Sequence, residues 1–97
     1  MYKLLLFLKK TNDEQVITHF YEYTVKILSQ IVGEEIKTAD VESSLLLDQK
    51  YIKFCEVTCA SKEDWDKKMN SVHGRELNKD LIDFHQYVSI IFVDYKN

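Results

Sequence analysis

"YKLLLFLKK", residues 2–10, decides how the rest of the chain is read. Leu4, Leu5, Leu6, Phe7 and Leu8 follow one another without a polar interruption. The run has the length of a strand and polar ends, so it predicts a buried strand over residues 2 to 9. Successive strand residues point to opposite faces, and a half-exposed strand therefore alternates apolar with polar. Here both faces are apolar, and each needs cover.

Working outward, Thr11 and Glu14 in "TNDE" have the spacing of a capping box and open a helix. Val16, Ile17, Phe20, Ile27, Leu28 and Ile31 recur at helical spacing, with Thr24 inside the stripe. Gly33 is the expected stop, since glycine adopts the left-handed conformation at little cost. Residues 34–47 are polar enough to suggest an edge strand with a bend, followed by a turn at Asp48-Gln49-Lys50. "YIKFCEVTC", residues 51–59, is rich in β-formers and reads as a strand. Ser61 and Asp64 form a second capping pair. That helix has Trp65, Met69 and Val72 on its apolar side and is expected to end at Gly74. Leu77, Leu81 and Phe84 then mark a short helix or helical turn, with Asp80 capping the turn before Leu81 to Phe84. "YVSIIFVDY", residues 87–95, is the last strand. Tyr87, Ile91 and Val93 point one way; Val88, Ile90 and Phe92 point the other.

The order β-α-β-β-α-β predicts a single α+β domain over residues 1–97, the ferredoxin-like arrangement with an antiparallel four-stranded sheet. Right-handed crossovers put the first and third strands at the centre and both helical units on one face. The other face is left apolar and bare. Monomers rarely expose more than a few hundred Å² in one apolar patch. Hiding about 1,000 Å² would yield on the order of 25 kcal/mol of gross burial, much of it offset by association entropy. The economical cover is a second copy, paired sheet to sheet about a two-fold axis.

Composition narrows the function classes. The 97 residues are 45% hydrophobic and 30% charged with a formal net charge of −3, which argues against a nucleic-acid partner. No apolar run approaches a membrane span. The opening run is short for a secretory leader and lacks a small-residue cleavage site, so a cytoplasmic location is expected. Cys55 and Cys59 share a face of one strand but lie about 13 Å apart at strand rise. That is too far for a disulfide, so two buried, reduced thiols are expected. Three histidines and two cysteines show no metal-ligand spacing, and there is no nucleotide motif, so no metal or cofactor is expected.

Three segments resemble the EthD-like family of the dimeric α+β barrel superfamily. "YKLLLFLKKTNDEQVITHFYEY" is similar to the family's opening strand, polar turn and aromatic-rich helix. "CEVTCAS" is similar to the strand end that leads into the second helix. "WDKKMNSVHGRELNKDLIDF" carries Ser71, Gly74, Asp80, Leu81 and Phe84 in the family's Ser-x-x-Gly and Asp-Leu-x-x-Phe pattern. The resemblance implies a ferredoxin-like protomer paired as a dimeric barrel, with a pocket between sheet and helices. It leaves residues 34–50 without support. The family's first helix often carries a histidine that aligns with Val25 here, so no catalytic role is transferred to that helix.

The candidate site residues follow. Glu56 lies mid-strand in a central strand, on the side of Ile52, Phe54 and Thr58; partial desolvation would make it a general base. The plainer role is a carboxylate bonded across the sheet or at the dimer seam. His19 falls with Glu22 and Lys26 on the helical wheel, which favours a solvated residue over a pocket residue. Tyr23 sits at the boundary of the stripe and could line a cleft, though a core-edge tyrosine is the simpler reading. Trp65 could face a ligand but reads first as core. His73, just before Gly74, is expected to meet the carbonyls at a helix C-terminus.

Two functions stay open. One is a homodimeric small-molecule-binding or accessory protein in catabolism, with a small apolar ligand. The other is a cofactor-independent oxygenase or isomerase acting on a small apolar or aromatic compound. A closed cavity with Glu56 or a histidine inside it would favour the enzyme; a cleft filled by Trp65 and Phe20 would count against it.

Overall fold

A computed structural model describes residues 1–42 and 49–96. Strand β1 spans Tyr2–Lys9, β2 Thr38–Asp40, β3 Tyr51–Cys59 and β4 Val88–Asp94. They form one sheet in the order β2-β3-β1-β4, with every pairing antiparallel. The first helical unit is continuous: α1 Glu14–His19, a π-helical segment Phe20–Val25, and α2 Lys26–Val32. The second unit is α3 Lys62–Met69 and α4 Val72–Phe84, closed by a 3₁₀ turn His85–Tyr87. This is the ferredoxin-like βαββαβ fold that the element order implied.

Strand register explains how the unbroken run of β1 is used. Leu4, Leu6 and Leu8 face the helices and are buried, as are Cys55, Val57 and Cys59 of β3 and Val88 of β4. Each such leucine contributes on the order of 1.5–3 kcal/mol. Phe20, Leu28, Trp65, Leu77 and Phe84 close the same core from the helical side. Lys3, Leu5 and Phe7 alternate to the opposite face, where Leu5 pairs with Glu56 and Ile91. Ile91 stays 48% exposed there. Tyr87 precedes β4 in the 3₁₀ turn and packs on Phe84 with ring centroids 5.3 Å apart, so it does not extend the strand.

Three boundaries differ from expectation. Asp13, not Thr11, caps the first helix by accepting from the Gln15 N–H at 2.9 Å; Thr11 accepts from the Asp13 N–H instead. Strand β2 is only three residues long, and residues 43–48, which include part of the expected edge strand and Asp48 of the expected turn, lie outside the described residues. The third difference concerns Gly74, which does not end a helix.

The chain breaks at Asn70 and restarts with Ser71 as the cap of α4, its hydroxyl accepting from the Gly74 N–H at 3.1 Å. A Cβ on Gly74 would lie 2.1 Å from the Met69 carbonyl oxygen. Gly74 is there for close approach between two helices, and Ser-x-x-Gly is a helix-start signal. Val72 accordingly opens α4 and is exposed rather than apolar cover. Gly33 does perform the expected stop, with φ at 77°.

Candidate functional site

The space between sheet and helices is occupied by side chains. Phe20, Leu6, Leu8, Leu28 and Cys55 are fully buried, and Trp65 joins them with its ring 5.9 Å from Phe92. Trp65 is therefore core, as its simpler reading had it, and lines no depression described below.

Glu56 lies on the outer sheet face. Its side chain is 45% exposed, and its Oε1 is 3.3 Å from the Lys3 Nζ across the sheet. In this chain the carboxylate is solvated and ion-paired, not desolvated as expected.

The polar contact of greatest interest is elsewhere, between the two helical units. Asp80 does not cap a turn. It stands in the interior of α4, its side chain only 7% exposed. Its Oδ1 lies 2.5 Å from the His19 Nε2, and its Oδ2 accepts from the Thr24 hydroxyl at 2.8 Å. Thr24 is completely buried, so this bond satisfies a hydroxyl that water cannot reach. The His19 ring stacks nearly parallel to Tyr23 at 4.9 Å, 5° between planes, and packs on Phe84 at 4.3 Å. Its side chain keeps 33% exposure.

The helical wheel placed His19 in solvent because it assumed uniform α-helical phase from Glu14 to Gly33. The π-helical turn widens the helix and shifts the residues before it relative to those after it. Phe20, Thr24 and Val25 thereby all reach the core, and His19 comes to rest against α4. Polar Thr24 within an apolar stripe was the one sequence signal that a buried polar partner lay opposite.

Tyr23 is 59% exposed and stands on the surface instead of at a core edge. It divides two open depressions. One, of about 420 Å³, is lined by Glu14, Gln15, Thr18, His19, Glu22 and Tyr23. The other, of about 490 Å³, is lined by Glu22, Tyr23, Lys26, Ile27, Gln30 and Glu76. Of the four candidates, His19 and Tyr23 are thus brought together, while Glu56 and Trp65 sit apart from them.

The other two histidines lie at opposite ends of α4. His73 lies in the first turn of α4, its Nδ1 3.4 Å from the Glu76 carboxylate, and not at a helix C-terminus. His85 caps the C-terminus of α4, its Nδ1 2.9 Å from the Leu81 carbonyl oxygen and 3.0 Å from that of Ile82. Cys55 and Cys59 are free and buried, and burial pushes the Cys55 thiol up to about 12. Among the described residues, no helix is long and apolar enough to cross a membrane.

No protein-family model matches the chain, and no curated protein matches it in sequence. Solved structures do match. An ethyl tert-butyl ether (EthD) family protein from Bacillus halodurans superposes with a TM-score of 0.79 over 99% of each chain, at 19% identity. This chain has the fold of an EthD family protein. The Arabidopsis thaliana protein At3g17210 follows with a TM-score of 0.62, 20% identity, and coverage of 99% of this chain and 93% of that one. The EthD-like fold thus covers 99% of this chain.

Proposed function

We propose that this chain is an EthD-like homodimer, paired through the outer faces of its two sheets, that binds a small molecule in an accessory rather than a catalytic role. The observation that carries the dimer is the outer face itself. Phe7 lies at the centre of an aromatic group there, 4.9 Å from Tyr51 and 4.9 Å from Phe54, beside Leu5 and the exposed Ile91. The helices all cover the other side. A second copy would remove this surface from water, and an isologous pair is the commonest way to do so. The accessory role is supported by the packing between sheet and helices, where Phe20, Leu6, Leu8 and Leu28 are fully buried and Trp65 joins the same core.

One observation favours the enzymatic alternative, an isomerase or cofactor-independent oxygenase with Glu56 as base. Glu56 shares the outer face, and a second copy would desolvate it. Multi-angle light scattering tests the dimer: the expected mass is twice 11.5 kDa, and 11.5 kDa at micromolar concentration contradicts it. Turnover screens against small aromatic and lactone compounds separate the two roles. The accessory reading expects binding without turnover; turnover abolished by Glu56→Gln at unchanged Tm would establish the alternative.

A further inference from the structure

We infer that the helical layer carries a docking groove for a basic amphipathic helix of another protein, with Tyr23 as its central contact. The groove is built from helices alone, on the side away from the outer sheet face, so it stays open in the proposed homodimer. It is independent of the small-molecule reading above.

The two depressions of about 420 and 490 Å³ follow one another along the first helical unit and share Glu22 and Tyr23. Their linings are centred about seven positions apart, which is about 10 Å at 1.5 Å per residue and the distance between side chains i and i+7 of a partner helix. Thr18 lies in one depression and the apolar Ile27 in the other. A helix laid along the groove seats one side chain in each and takes the Tyr23 ring between them. All the lining residues belong to helices, so no free strand edge is offered to an extended peptide, and contact falls to side chains.

Tyr23 has the properties of an anchor. It is 59% exposed, yet its ring stacks on His19 at 4.9 Å with 5° between planes. His19 in turn packs on Phe84 at 4.3 Å and meets Asp80. An aromatic ring already backed in this way loses little freedom when a partner covers it. Tyrosine is also among the residues that dominate binding at the centres of interfaces.

Charge decides the partner. The groove carries the carboxylates of Glu14, Glu22 and Glu76 against one ammonium, that of Lys26. Among the described residues, neither Glu14 nor Glu22 has an ion-pair partner. A basic helix supplies those partners. A second copy, itself at a net charge of −3, is repelled on approach.

The test uses a leucine–lysine amphipathic peptide of about 14 residues, roughly the length of the groove at helical rise. Its controls are the same residues in scrambled order and a version with glutamate for every lysine, with binding followed by calorimetry. The amphipathic peptide should bind at least about tenfold more tightly than the scrambled one, and less tightly as salt is added. The glutamate version should not bind. Tyr23→Ala and Glu22→Lys should each weaken binding about tenfold. Glu63→Lys, on α3 and outside the groove, makes the same change in net charge and should leave affinity within about twofold. In wild-type protein, ¹⁵N NMR should show the amides of Thr18, Tyr23 and Ile27 moving with the peptide and those of Leu5 and Ile91 unmoved; this readout stands even if a variant fails to fold. Absence of binding, equal binding of the scrambled peptide, equal losses in Glu22→Lys and Glu63→Lys, or movement at the outer sheet face instead overturns the inference. So does salt-sensitive self-association removed by Tyr23→Ala, which would make the occupant a second copy.

Discussion

The imidazole of His19 and the carboxylate of Asp80 meet at 2.5 Å although 61 positions separate them in the chain. The contact joins the end of α1 to the middle of α4, and the buried Thr24 shares the same carboxylate. The Asp80–Thr24 bond is the expensive one to break, because the buried Thr24 hydroxyl cannot turn to water.

Asp80→Ala should therefore cost about 1–3 kcal/mol, chiefly by stranding the Thr24 hydroxyl. A double-mutant cycle with His19→Ala should return a coupling of about 0.5–3 kcal/mol. Urea unfolding measures both. Additive single-mutant effects would mean that the pair is not formed in solution.

Glycine at position 74 should be far less replaceable than glycine at 33. Gly33→Ala meets open space but must hold φ at 77°, a penalty of about 1–2 kcal/mol. Gly74→Ala places a methyl 2.1 Å from a backbone oxygen and forces α3 and α4 apart. Backbone cannot yield as a side chain can, so the cost should reach the upper end of overpacking penalties, about 3 kcal/mol. The expected order of Tm is wild type, Gly33→Ala, Gly74→Ala.

On the outer sheet face, Ile91→Asp and Leu5→Lys should convert the proposed dimer to monomer with the far-UV circular dichroism retained. Neither side chain belongs to the helix-facing core. Light scattering at micromolar concentration reads the result directly. A variant that remains at twice 11.5 kDa would move the interface away from this face.

Alkaline stability should carry a contribution from Cys55. Burial raises its thiol from 9.0 to about 12, so between those values the unfolded chain has lost a proton that the native chain keeps. Stability then falls as pH rises, by about 1.4 kcal/mol per unit for one such group. Cys55→Ala should show a shallower decline over pH 9 to 12, followed by chemical denaturation. An identical slope would show that the thiol ionises as easily in the folded protein as in the unfolded one.

Much of the architecture was legible before any coordinates. Leu4, Leu6 and Leu8 alternating with Leu5 and Phe7 announced a strand apolar on two faces. Ser61 marked a helix start through its spacing to Asp64, whereas Gly74, which reads as a helix end, belongs to the start that Ser71 caps. These are local signals: alternation, capping geometry and element order depend on neighbours within a few residues.

The His19–Asp80–Thr24 cluster was not legible in that way. Its members belong to two helices, and one of them is rotated into place by a π-helical turn that no periodicity scan contains. Glu56 shows the same limit from the other side: its strand position was legible, but which face the helices would cover, and that the Lys3 ammonium would reach its carboxylate, are properties of the packed sheet. Sequence by itself determined the strands, the helical units and their order, because backbone geometry answers to nearby residues. Only tertiary structure decided which polar side chains are shut away from water and with whom, because burial and pairing are set by surfaces distant in the chain.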